Sequence, residues 1–74
     1  MNKKALLEEL KYIYQDKILD TELAITNLNR VIDRNRDKPK EIDGLPNRVR
    51  DLQRERNLLE KRTEFIDDWI GELQ

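Results

Sequence analysis

VRDLQRERNLLEKRTEFIDDWIGEL, residues Val49 to Leu73, is the stretch whose reading decides the fold. Val49, Leu52, Arg56, Leu59, Thr63, Ile66, Ile70 and Leu73 follow one another in alternating steps of three and four, the spacing that lines one helical face against a partner helix. Six of these eight are aliphatic, which leaves Arg56 and Thr63 as the positions to explain.

The partner of this stripe lies upstream in the same chain. From Asn2 to about Arg36 there is no Gly or Pro and good helix formers dominate, which predicts one long helix. At 100° per residue its aliphatic and aromatic residues occupy a face broader than a two-stranded seam needs. The central line of that face runs Leu7, Leu10, Tyr14, Ile18, Thr21, Ile25, Leu28 and Ile32, with one extra residue between Tyr14 and Ile18 relative to strict heptads. Laid antiparallel, Ile32 faces Val49, Leu28 faces Leu52, Ile25 faces Arg56, Thr21 faces Leu59, Ile18 faces Thr63, Tyr14 faces Ile66, Leu10 faces Ile70 and Leu7 faces Leu73. Two stripes of equal length joined by a turn argue for a helical hairpin.

Asp37 to Pro46 supplies that turn. Pro39 disfavours helical geometry at Lys38, Asp43-Gly44 is a turn signal, and Pro46 suits the first turn of a new helix because its missing N–H has no partner there in any case. Ile42 is placed to tuck its side chain under the connection. The expected organisation is one domain over residues 1–74, with a helix over about 2–36, a turn over about 37–45 and a helix over about 46–71, Gly71 acting as the end signal.

Composition limits what such a hairpin does. A 74-residue chain is near the size below which one core seldom suffices without disulfides, metals or self-association. With no Cys and no His, disulfides and typical structural zinc sites are excluded, so self-association is the remaining support. Ser is absent as well, which removes the usual nucleophile–base pairs, and the expectation is a non-enzymatic protein without a cofactor. Charged residues make up 42% of the chain at a net −1, the composition of a solvated helical surface and not of a global nucleic-acid or membrane binder. No apolar run is long enough for a membrane span and acid appears at Glu8 and Glu9, too early for a signal peptide, so a cytoplasmic location is expected.

Apolar residues outside the seam suggest where contacts form. Tyr12, Leu19 and Leu23 on the first helix, and Leu58, Phe65 and Trp69 on the second, make a patch larger than a monomer usually exposes. The preferred reading is a self-association surface that builds a four-helix or larger bundle, a dimer being favoured; the alternative is a docking face for a different protein.

Charge is distributed unevenly along the rod. Nine bases stand against six acids between Arg30 and Arg56, a balance of +3, while residues 1–29 balance at −1 and residues 57–74 at −3. The tip is thus basic and the open end acidic. Arg34, Arg36, Lys38, Lys40, Arg48 and Arg50 surround the connection, where a helix N-terminus near Pro46 adds positive potential suited to phosphate or carboxylate. The preferred reading here is a solvated face with local ion pairs; an anion or acidic-partner site is the alternative. Lys17 and Arg56, set in or beside the apolar faces, are read as snorkelling side chains that fix register, or with Tyr14 and Thr21 as the lining of a polar pocket between protomers that takes an anionic small molecule. Duplex binding is disfavoured because the bases surround a turn and are mixed with acids, and no aromatic residue lies among them for base stacking. Glu60, Glu64, Asp67 and Asp68 are read as a solvated acidic back, not a metal site.

Leu23-Ala24-Ile25-Thr26-Asn27-Leu28 resembles a short helical segment of the phage proteins that sequester cyclic nucleotides, which are small all-helical oligomers. The likeness covers six of 74 residues, lies in the first helix and not the last, and has no matching downstream aromatic residue. From the rigid hairpin, its basic tip and its apolar flank, the functional expectation is a helical adaptor, assembly factor or small inhibitor, of a size and composition that suit a phage or mobile-element origin, that self-associates and docks on a partner protein. An oligomer that sequesters an anionic molecule such as a nucleotide is the alternative.

Overall fold

A computed structural model describes residues 2–73 of the chain. Helix α1 spans Lys3–Arg34 and helix α2 spans Leu45–Glu72, and the two pack against each other along a rod 55 Å long and 14 Å across. No strand occurs among the described residues.

Local chemistry sets the helix ends. The Asn2 side chain accepts a hydrogen bond from the Lys4 backbone N–H at 3.0 Å, satisfying one of the unpaired donors at the start of α1. α1 stops two residues short of the expected Arg36. The reason is Asn35, whose Nδ2 donates to the Val31 carbonyl at 2.8 Å while its backbone N–H turns back to Ile32, so the helix is closed from its own C-terminal flank. The connection then advances by tight turns, with backbone N–H groups of Lys38, Glu41 and Leu45 donating to the carbonyls three residues before them. Gly44 sits at φ +80 directly before α2, a left-handed conformation that glycine adopts without Cβ strain, and Pro46 follows in the first turn. Ile42 and Leu45 are half-buried beneath the connection. Gly71 does not end α2, which continues to Glu72.

The seam is where the periodicity places it. All seven buried residues among those described, Leu7, Thr21, Ile25, Val49, Leu52, Leu59 and Ile66, belong to the two antiparallel stripes. Near the tip Ala24, Leu28 and Ile32 close around Ile25, Val49 and Leu52, and Leu59 and Ile66 are as deeply buried further along. At the open end Leu10 and Leu73 remain exposed.

The polar residues of the seam are accommodated locally. Thr21 Oγ1 donates to the Lys17 carbonyl at 2.7 Å and Thr63 Oγ1 to the Leu59 carbonyl at 2.9 Å, so each hydroxyl is satisfied within its own helix and its methyl is left for packing. Arg56 is less well served. Its Nε is buried without a hydrogen-bond partner, 4.0 Å from Glu60 Oε1, while Nη2 donates to Asn57 Oδ1 at 3.4 Å.

Candidate functional site

Two packed helices leave two long grooves, one on each side of the seam, and the side chains that line them differ. On one side, Leu10 and Tyr14 of α1 meet Arg62, Phe65 and Trp69 of α2 around an open groove of about 490 Å³ floored by Leu7 and Ile66 and reached by Lys61. Phe65 and Trp69 meet edge to face, with ring centroids 6.0 Å apart and planes at 74°. Lys3 Nζ lies 4.6 Å from the Trp69 ring centroid, within cation–π range. Further along the same side, toward the middle of the rod, Tyr14, Lys17, Asp20 and Thr21 face Glu55, Leu58, Leu59 and Arg62.

The groove on the other side is polar. Glu8, Lys11, Tyr12 and Gln15 of α1 line it with Asp67 and Ile70 of α2. Lys11 Nζ and Asp67 Oδ1 form an ion pair at 2.5 Å across it, and hydrogen bonding to that carboxylate holds the Lys11 ammonium above its usual pKa of 10.5.

The six apolar residues expected to form one patch are therefore distributed over different surfaces. Phe65, Trp69 and Leu58 line the apolar side, whereas Tyr12 borders the polar groove and is 68% exposed. Leu19 and Leu23, both exposed, continue from Tyr12 along the outer side of α1 at spacings of seven and four. Leu10 lines the groove with Phe65 and Trp69, and Leu6 and Ile13, also exposed, neighbour Leu10 on the helical ladder that leads to Lys17 and Asp20. The broad apolar face of α1 was the available signal for them: a face wider than one partner helix covers has an edge left over.

The basic residues likewise separate into groups. Arg34, Arg36, Lys38, Lys40, Arg48 and Arg50 are all exposed around the connection. There Arg36 pairs with Asp33 at 2.7 Å, and Arg54 stands 4.0 Å from Asp51. These are exposed pairs of the kind worth little in isolation. Lys17 lies mid-rod with Nζ 5.6 Å from the Tyr14 ring centroid. Tyr14, Lys17 and Thr21 do share a groove, but the arginine that joins them is Arg62, and Asp20 and Glu55 balance its charge; Arg56 is not part of it. Lys61 and Arg62, beside the aromatic pair, are the cations that sequence reasoning passed over.

Among the described residues no group of His, Cys, Asp or Glu side chains is arranged to hold a metal ion, and no helix is long and apolar enough to cross a membrane. Comparison of the chain with protein-family models, with curated proteins and with solved structures returned no match.

Proposed function

We propose that the chain is a non-catalytic helical interaction protein that self-associates and docks on a partner protein, as an adaptor, assembly factor or small inhibitor. One observation carries this reading. Ten large hydrophobic side chains are exposed along the described rod, Phe65 and Tyr12 the most open among them, while no large side chain is fully buried. A single hairpin has only two layers and cannot cover both sides of either helix, so a second pair of helices is the economical cover. The absence of Ser, His and Cys supports a binding role over catalysis. Sedimentation at micromolar concentration tests it: the reading expects a species well above the 9.0 kDa of one chain, and a 9.0 kDa monomer overturns it.

A second reading, an oligomer that sequesters an anionic small molecule such as a nucleotide, draws support from the groove in which Tyr14, Phe65 and Trp69 stand beside Lys61 and Arg62. Its volume of about 490 Å³ is in the range that small ligands occupy. Sequestration expects a nucleotide or phosphate panel to raise the melting temperature, with the shift lost in Arg62→Ala. Protein docking expects no such shift.

A further inference from the structure

We infer that the groove side carrying Leu10, Phe65, Trp69 and Leu58 seats a second copy of this chain, packed antiparallel about a two-fold axis near Asp20 and Arg62, so that each basic tip lies beside the acidic open end of the other hairpin. This rests on the self-association proposed above and adds to it the face, the symmetry and the direction.

The face follows from what each side of the rod offers. The polar groove is already bridged by Lys11 and Asp67, so its opposite charges are met within one chain, whereas Lys17, Asp20, Glu55 and Arg62 on the other side form no ion pair among the described residues and are left for a second copy. The Tyr12, Leu19 and Leu23 stripe belongs to one helix alone. On the Phe65 side the stretch toward the open end is apolar on both helices, and Phe65 itself is 66% exposed there. A standard stable interface buries roughly 800 Å² per partner, an area that one long side of a rod 55 Å long and 14 Å across is large enough to supply.

The symmetry follows from the charges at the middle of that side. Lys17, Arg62, Asp20 and Glu55 are two bases and two acids in one groove, and none of them takes part in the four ion pairs among the described residues. A two-fold interface joins a patch to itself, so it requires a patch that is its own complement, and a neutral set of two opposed pairs meets that requirement. An axis at the level of Asp20 and Arg62 sets Phe65 against Leu58 of the partner subunit and Leu10 against Leu28 of the partner subunit, by the rise of 1.5 Å per residue along both helices.

The direction follows from the polarity of the rod. Side by side in the same direction, two hairpins would bring two +3 tips together and two acidic open ends together; antiparallel, each tip of +3 lies beside an end built from segments of −1 and −3.

The test uses the absence of cysteine in the chain, which makes a single-cysteine variant specific to label. A spin label on Lys40→Cys, at the tip, is read by pulsed electron resonance in the associated protein. The antiparallel arrangement expects a tip-to-tip distance of about 50 Å, near the rod length at 1.5 Å per helical residue. A distribution confined below about 25 Å, two helix diameters, overturns the direction while leaving self-association standing. In parallel, Phe65→Asp is expected to weaken association by about thirtyfold or more per copy, as loss of a central aromatic anchor does, whereas Tyr12→Asp on the far surface leaves it unchanged. The reverse ranking overturns the face and spares the general reading. A wild-type chain that stays monomeric removes both.

Discussion

Replacing Arg56 by Met is expected to stabilise the protein, and the structure permits the size of the gain to be worked out. Arg56 interrupts the α2 stripe, its side chain 34% exposed, with Nε buried and unpartnered. A buried polar group left without a hydrogen bond costs about 1–3 kcal/mol. The exposed remainder of the guanidinium still reaches Asn57 and solvent, which places the cost at the low end. Its pair with Glu60 is long, at 4.0 Å, and an exposed pair of this spacing on a helix contributes about 0.3–0.5 kcal/mol. Methionine keeps the unbranched stem that packs along the seam, has nearly the same helix propensity and carries no donor to strand. The net gain is about 1 kcal/mol. For a domain of this size that corresponds to a rise of about 4–8 °C in Tm. Thermal unfolding followed by circular dichroism measures it, at one fixed chain concentration because association makes Tm concentration-dependent. Glu60→Gln serves as the control and should lower stability by less than about 0.5 kcal/mol. A Tm for Arg56→Met at or below that of the parent refutes the reasoning, since it would mean that the guanidinium contributes more than its unmade bond costs.

Three other outcomes are expected. The Lys11 pKa is raised in the folded state, so the stabilisation by its pair with Asp67 is present below pH 10.5 and is lost as pH rises through the raised value; Asp67→Asn should remove that alkaline limb from a plot of Tm against pH. Gly44→Ala meets no neighbouring atom within 4 Å of the new Cβ, so its cost is that of holding φ near +80 alone, about 1–2 kcal/mol in denaturant unfolding. Leu59→Ala, which empties a buried seam position, should cost about 2–4 kcal/mol with helix content retained at low temperature, and a change under 1 kcal/mol would mean that the seam closes over the gap.

The seam was legible in the sequence because burial in a hairpin follows one periodicity. A three–four spacing in α2 and a matching line in α1 name every buried residue among those described. The connection was legible from Pro39, Gly44 and Pro46, but the end of α1 was not, because Asn35 decides it by a side-chain bond to Val31 that no periodicity records. The flanks are less legible. Level along the rod is a matter of counting and places Trp69 beside Tyr12, whereas side is a matter of angle, and angle puts Tyr12 near Asp67 and Trp69 near Leu10. Arg56 does lean toward Glu60, as a snorkelling side chain should, while the alternative of a pocket shared with Lys17 is not met, since the groove that Lys17 lines is completed by Arg62.

The apolar cluster beside the connection also has a kinetic meaning. Ile25, Val49 and Leu52, with Leu28 and Ile32 against them, form the cluster nearest the connection, so the loop that their contacts close is short and its entropy cost small. Each successive layer toward the termini joins residues farther apart in sequence, and at the open end Leu10 and Leu73 stay exposed. Such a hairpin zips from the tip outward and frays in the reverse order, and amide exchange should be slowest near Ile25 and fastest near the open end. The aromatic pair of Phe65 and Trp69 stands in the half that closes last, so whatever binds there acts as the latch on folding.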